Sequence, residues 1–250
     1  VLGSVQRLLR MGATANLTNL LKKQRPPDIA AILHRLPDSD ARIAFDSLVA
    51  VNVPLAMDAL SELGPKPAAQ LLVGRSAEEV ARLMRELAPD DSAAILTHLP
   101  PELAAHVMEL TGQSGAIGHL LGYADQTAGR IMTPNVFALD ETVTAGEAVA
   151  TLQRRSGPEV GFYLYVIDDR HHRVGVTSLR RLVLVPADTP LSRIMTTDVV
   201  SVSVDARQDE AARLVASYNL LALPVVDAEN KLVGVITVDD VIDVIRDETT

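Results

Sequence analysis

Between residues 26 and 110 the apolar side chains recur at helical spacing, in short runs that are separated by prolines. In the clearest run, Ser76 and the acid three residues later, Glu79, have the spacing of a capping box. The apolar residues that follow share one helical face: Val80, Leu83, Met84 and Leu87. Proline follows a leucine by one or two residues at four of the boundaries: Pro37, Pro65, Pro89 and Pro100. Helices of about ten residues cannot bury their apolar faces alone, so residues 27–111 are predicted to stack as an all-α helical-repeat superhelix.

The segments on either side of this array have weaker patterns. Residues 1–26 contain several basic side chains and, at Leu8-Leu9, an apolar run too short for a signal peptide, so they are predicted to be a weakly ordered N-terminal arm. Residues 112–130 contain five glycines, which lower helix propensity, and are predicted to be a connector.

After Gly129 the chain repeats itself. Ile131-Met132-Thr133 recurs 63 residues later as Ile194-Met195-Thr196, and the phrase that begins at Gly175 recurs 59 residues later at Gly234. Each copy contains a strand, a helix, two strands and a helix by pattern. In the second copy these elements are predicted at 199–204, 209–218, 222–226, 231–237 and 237–246. Residues 131–193 and 194–250 are therefore predicted to be two α/β modules packed as a pair, and the whole chain an α+β multidomain protein.

The composition of the chain disfavours several classes of function. Because it has no cysteine, a metal ion must be bound by oxygen or imidazole ligands. A net charge of −9 and an aromatic content of 3% argue against nucleic acid as a partner. No nucleophile-elbow, P-loop or His-Glu-x-x-His motif is present, so we do not expect an enzyme. No apolar stretch approaches the ~18 residues that cross a bilayer, so the chain as given is expected to be soluble.

The repeated phrases resemble those of cystathionine-β-synthase (CBS) modules. They are Ile-Met-Thr-Pro at 131–134, Leu-Pro-Val-Val-Asp at 223–227 and Gly-Val-Ile-Thr-Val-Asp-Asp-Val at 234–241. A helical repeat domain lies directly upstream, and the phrase from 121 to 134 joins it to the pair. This layout is similar to the cytosolic region of the MgtE family of magnesium channels, from about residue 27 to the end of the chain.

The resemblance implies a regulatory role. In that family a plug helix and transmembrane helices follow the CBS pair, and the cytosolic region senses Mg²⁺. We therefore expect this region at the cytoplasmic face of the bacterial inner membrane, with its own membrane domain as partner. Docking of the helical domain on the CBS pair in Mg²⁺ would close the pore. A homodimer through the CBS modules is also implied.

The resemblance further implies that carboxylates of both domains bind Mg²⁺. The matching positions are Asp58, Asp90, Asp209, Asp240 and Asp243. On the last helix Asp240, Asp243 and Asp247 recur at i, i+3 and i+7, and we call these three residues the acidic stripe. Like charges at this spacing repel, and a divalent cation reverses that effect. A solvated helix face is the alternative interpretation. Asn219 stands where another acid is expected.

A nucleotide site is a separate expectation. Thr237 and Asp240 match the Thr-x-x-Asp that contacts ribose and phosphate in nucleotide-binding CBS modules, although the same spacing is also an ordinary helix cap. The matching residues of the first copy are Ser178 and Arg181, so ATP or another adenine nucleotide should favour the second module.

Two other classes of function stay open on the sequence alone. One is a free-standing adenine-nucleotide-binding CBS protein whose helical domain recruits partners. The other is a structural adaptor, because short helical repeats often build partner-binding surfaces.

Overall fold

A computed structural model describes residues 1–111, 115–154 and 163–248, with side chains as far as residue 245. The chain divides into two compact units, Val1–His119 and Leu120–Thr250. The described residues of the first unit are helical, and the second unit contains helices and two sheets.

The helices of the first unit begin where the prolines predict. Their bounds are α1 Leu2–Arg10, α2 Thr14–Leu21, α3 Pro26–His34, α4 Asp38–Val49, α5 Val53–Ser61, α6 Pro65–Leu72, α7 Ala77–Met84, α8 Pro89–Leu96, α9 Pro101–Thr111 and α10 Ala116–Leu121. Proline suits the first helical position because it has no N–H to leave unpaired and its φ is already helical. α7 begins after Ser76, whose hydroxyl accepts the backbone N–H of Glu79 at 3.2 Å, so the predicted cap is confirmed.

Most of these helices pack on the second helix along the chain. The pairs are α3 with α5, α4 with α6, α5 with α7, α6 with α8 and α7 with α9. The core between them consists of side chains that are at most 1% exposed: Phe45, Leu48, Met57, Leu60, Leu72, Leu83 and Met84. Each such side chain stabilises the fold by roughly 1.5–3 kcal/mol on burial. The predicted helical superhelix is therefore present.

The prediction of a weakly ordered arm at residues 1–26 was wrong. α1 and α2 pack on each other and on α4. Val5, Leu17 and Leu21 are at most 1% exposed. The sequence pattern did not reveal this because the partner helix, α4, begins more than twenty residues after the start of α2.

The second unit contains the repeated modules. Its elements are α11 Ala128–Ile131, β1 Ala138–Asp140, α12 Ala145–Arg154, β2 Tyr163–Ile167, β3 Arg173–Ser178, α13 Leu179–Leu184, α14 Leu191–Ile194, β4 Val202–Ser203, α15 Gln208–Tyr218, β5 Ala222–Val226, β6 Leu232–Thr237 and α16 Val238–Glu248. The predicted order of the second copy is confirmed. The strand expected at 199–204 is shorter, because only Val202 and Ser203 pair with β5.

Both modules have the same sheet. The strand orders are β1-β2-β3 and β4-β5-β6, with a parallel pair followed by an antiparallel hairpin in each. The hairpin turns are equivalent as well: Asp168 and Asp227 each accept two backbone N–H groups of their own turn. His171 and Asn230 adopt positive φ at matching turn positions, 67° and 61°.

The two modules interlock through a reciprocal contact of methionine with glycine. Met132 of the first module lies against Gly234 of β6, and Met195 lies against Gly175 of β3. Backbone bridges accompany both contacts, Thr133 with Val235 and Thr196 with Val176. The predicted packing of the modules as a pair is confirmed, and the repeated Ile-Met-Thr and Gly-Val phrases are the residues that form it.

Substitution of either glycine by alanine tests the reciprocal contact. A Cβ at Gly175 would lie 2.6 Å from Met195 Sδ, and a Cβ at Gly234 would lie 3.0 Å from the Thr133 carbonyl oxygen. We expect Gly175→Ala and Gly234→Ala each to lower the free energy of unfolding by about 1–3 kcal/mol in urea titrations followed by circular dichroism. Gly3→Ala is the control, because nothing lies within 4 Å of that Cβ and alanine favours α1. Equal stability of all three variants would contradict the interlock.

Candidate functional site: carboxylates of both units and the cap of α16

Two of the five predicted metal ligands lie in the first unit, on neighbouring helices. Asp58 is an exposed residue of α5, and Asp90 is a half-buried residue in the first turn of α8. The Ser61 hydroxyl at the end of α5 donates a hydrogen bond to the Asp91 carboxylate at the start of α8. Because Asp58 precedes Ser61 by one helical turn, this bond brings the acidic groups of the two helices to the same region.

The N-terminus of α8 favours negative charge. The first backbone N–H groups of a helix point out of its N-terminus and stabilise carboxylates there. Asp90 and Asp91 are the acids of that first turn. Sequence reasoning missed Ser61, whose partner lies 30 residues away and follows no local pattern.

The other three predicted ligands lie in the second unit. Asp209 is in the first turn of α15, whereas Asp240 and Asp243 are on α16. Asp243 is exposed and Asp240 is half-buried. Asp247, the third member of the acidic stripe, has no described side chain. Among the residues that the structure describes, no group of three or more histidine or acidic side chains is arranged to bind a metal ion.

The Asp209 carboxylate forms ion pairs with two arginines. Its carboxylate accepts a 2.8 Å bond from Arg207 Nε and a 3.4 Å bond from Arg213 Nη2. The hydrogen bond from Arg207 is the main cause that lowers the pKa of Asp209 below its usual value. A metal ion at Asp209 would therefore compete with two cations that already bind the carboxylate.

Asp240 forms the cap of α16. Its Oδ2 accepts the backbone N–H of Thr237 at 3.0 Å and the Thr237 hydroxyl at 2.6 Å. The bond from the backbone N–H is the one that the third helical residue accepts in a capping box, so Asp240 caps the helix whether or not a nucleotide binds there. The same geometry places a hydroxyl and a carboxylate together at a helix N-terminus, where a polar ligand can find both donors and an acceptor.

The first module begins its equivalent helix differently. Ser178 accepts the backbone N–H of Arg181 at 3.2 Å, and no acid occupies the position of Asp240. Arginine has no hydrogen-bond acceptor, so it cannot take the ribose hydroxyl protons that an aspartate accepts.

The apolar residues of α16 divide between two environments. Val241 and Val244 are 3% and 7% exposed, whereas Ile242 and Ile245 are 44% and 48% exposed. α16 therefore exposes apolar as well as acidic side chains. Ile242 lies beside the acidic positions on the accessible side of the helix.

The backbone conformation at position 219 explains why an asparagine stands there. It ends α15 in the left-handed conformation with φ 50° and ψ 46°, and its N–H bonds to the Val215 carbonyl. Asparagine tolerates this conformation better than most residues other than glycine. An asparagine that forms the C-cap of α15 thus stands where an acid was expected.

No described helix is both long enough and apolar enough to cross a bilayer.

Comparisons with known proteins agree with this architecture. The family model of the CBS domain matches residues 128–190 and 191–247, and that of the MgtE intracellular N domain matches residues 24–126. The magnesium transporter MgtE of Thermus thermophilus is 34% identical over 99% of this chain. The chain spans 56% of the length of that relative.

Two solved structures resemble the chain over nearly its full length. A crystal structure of the cytosolic domain of the Mg²⁺ channel MgtE in complex with ATP is 32% identical, with a TM-score of 0.87, and covers 98% of this chain and 100% of that one. The soluble part of a magnesium transporter is 26% identical, with a TM-score of 0.81, and covers 100% and 98%. The chain belongs to the MgtE family, and it comprises that family's intracellular N domain followed by a pair of CBS domains.

Proposed function

We propose that this chain is the Mg²⁺-sensing regulatory region of a magnesium transporter, on the cytosolic side of the bacterial inner membrane, with its own membrane domain as partner. The observation that carries the proposal is the likeness to the cytosolic domain of a Mg²⁺ channel over 98% of the chain. The region regulates and does not catalyse.

The carboxylates fit Mg²⁺ in kind and in number. Asp58 and Asp90 of the N domain, with Asp240 and Asp243 of the CBS pair, provide the hard oxygen ligands that this ion takes. Mg²⁺ retains several of its waters, so one or two carboxylates for each ion are enough. Such sites bind weakly, which suits a sensor of free Mg²⁺. Asp209 would join them only by leaving its arginines.

The sensing movement is a change in the position of the N domain. Without a divalent cation, the carboxylates of the N domain and of the CBS pair repel each other, which favours an undocked state. When a divalent cation neutralises these carboxylates, the docked state is favoured. Docking then closes the pore of the full-length protein. A ligand shifts such an equilibrium only by its difference in affinity for the two states.

Small-angle scattering of the purified chain tests the movement. We expect a smaller radius of gyration in Mg²⁺ than in EDTA, and no such change in the Asp58→Asn, Asp90→Asn double variant. The control is Glu102→Gln with Glu109→Gln, which removes the same charge from exposed positions of α9. A radius of gyration that is equal in Mg²⁺ and EDTA for the native chain would refute the sensor.

Adenine-nucleotide binding is a second proposed function. The similar cytosolic domain was solved in complex with ATP. In this chain the Thr237 hydroxyl and the Asp240 carboxylate are held together at the start of α16, whereas Arg181 takes the equivalent place in the first module. ATP is therefore proposed to bind at the second module, and Asp240 cannot serve ribose and Mg²⁺ fully at once.

Calorimetry with ATP tests this site. Asp240→Asn is expected to weaken ATP binding about tenfold or more, because a hydrogen bond to a charged group contributes about 1.5–3 kcal/mol. Asp239→Asn removes the same charge from the adjacent exposed residue and should leave the affinity unchanged. Equal affinities of the two variants would place the nucleotide elsewhere.

A homodimer through the CBS pair is the third part of the proposal. Val183 of α13 and Ile242 of α16 occupy equivalent positions of the two modules, and they are 68% and 44% exposed. Leu184 is 70% exposed beside Val183. Apolar side chains exposed at matching positions of both modules suit a second copy, because a symmetric interface uses the same surface on each subunit.

Light scattering after size-exclusion chromatography tests the dimer. Ile242→Asp should convert a dimer into a monomer at micromolar concentration, because a charge replaces an apolar side chain in the interface. Ile43→Asp introduces the same change at a 51% exposed position of the N domain and should leave the dimer intact. A monomeric native chain, or a dimeric Ile242→Asp, would contradict this interface.

A further inference from the structure

Basic residues are concentrated in the first 36 residues of the N domain. Residues 1–36, which we call the basic segment, contain six lysines and arginines and one acid, a net charge of +5. Residues 37–119 contain five basic and twelve acidic residues, a net charge of −7. A single unit thus has one positive part and one negative part, although its overall charge is close to neutral.

The basic side chains of this segment are available to a partner. All six are exposed: Arg7, Arg10, Lys22, Lys23, Arg25 and Arg35. None of the ion pairs found among the described residues includes any of them. Their backbone is well anchored, because α1 and α2 pack on α4 through buried apolar residues. The charge is therefore displayed on a folded surface.

The spacing of the charges argues against a small anion. Arg7 and Arg10 lie in the last turn of α1, just before α2 begins. Lys22, Lys23 and Arg25 lie beyond the other end of α2, which is eight residues long. A helix of that length spans about 12 Å, so the two groups of cations are spread over a surface wider than one phosphate group. An extended anionic surface can contact both groups of cations.

Apolar exposure favours a lipid surface over other polyanions. Met11 directly follows Arg10 and is 70% exposed, and Leu8 and Leu9 are partly exposed on the same helix. Apolar side chains beside lysine and arginine suit the boundary between headgroups and acyl chains. The basic segment contains no aromatic residue, so it offers no stacking surface for nucleic-acid bases.

We propose that the basic segment of the N domain binds the anionic lipid headgroups of a membrane surface, with Arg7, Arg10, Lys22 and Lys23 as principal contacts. The presence of a membrane near this domain rests on the proposed function. The acidic residues of positions 37–119 are repelled by such a surface, so binding depends on the basic segment. It gives the N domain a second docking surface besides the one used in Mg²⁺ sensing.

Vesicle co-sedimentation of the whole 250-residue chain in EDTA tests the proposal. The chain should bind vesicles that contain phosphatidylglycerol, should not bind pure phosphatidylcholine vesicles, and should dissociate as the salt concentration rises. Arg7→Glu with Arg10→Glu should lower the partition coefficient about tenfold or more, since each basic side chain near such a surface contributes appreciably to binding. Lys22→Glu with Lys23→Glu should act in the same direction.

The matched control is Arg82→Glu with Arg85→Glu. These residues are exposed, have the same i, i+3 spacing at the end of α7 and give the same change in net charge, but lie outside the basic segment. Equal weakening by the control would show a general charge effect and overturn the proposal, as would equal binding to neutral vesicles. Binding of duplex DNA without binding of anionic vesicles would assign the segment to nucleic acid instead.

Circular dichroism verifies that each variant is folded. Scattering in Mg²⁺ without vesicles reports the sensing movement separately, so failure of either proposal is recognised without affecting the other.

Discussion

No element of this protein can bury its apolar surface alone, and the whole structure depends on that constraint. The longest described helix has 12 residues and the strands have two to six. Isolated helices of this length are marginal in water. Stability therefore comes from stacking, in the N domain mostly through a helix on the second one along, and in the CBS pair through the reciprocal Met–Gly contact. Both arrangements repeat along the chain, because the packing that buries the apolar face of one short unit also buries that of the next.

Repetition is also why so much of the fold could be predicted. The prolines are reliable guides to helix starts because their effect on the backbone is local, and the Ile-Met-Thr and Gly-Val phrases recur because the same contact is made twice. The helices of residues 1–26 could not be predicted, since Val5 and Leu17 become buried only against a distant helix. Ser61 was missed for the same reason: its bond to Asp91 joins helices that are not neighbours along the chain.

The candidate site was less predictable than the fold. The family resemblance pointed to Asp209, Asp240 and Asp243, but it could not show that Asp240 caps its own helix or that Asp209 is held by Arg207 and Arg213. Those interactions depend on side-chain directions. They also bear on metal binding. The Asp209 carboxylate would have to exchange two arginines for a metal ion, which is less favourable than binding of the ion at an exposed carboxylate such as Asp243.

The reciprocal Met–Gly contact has a consequence for how the CBS pair moves. Each methionine belongs to one module and rests on a strand of the other, so local opening of either module removes apolar contacts from its neighbour. The pair should behave as one cooperative folding unit, in which a ligand bound at one module slows the opening of both.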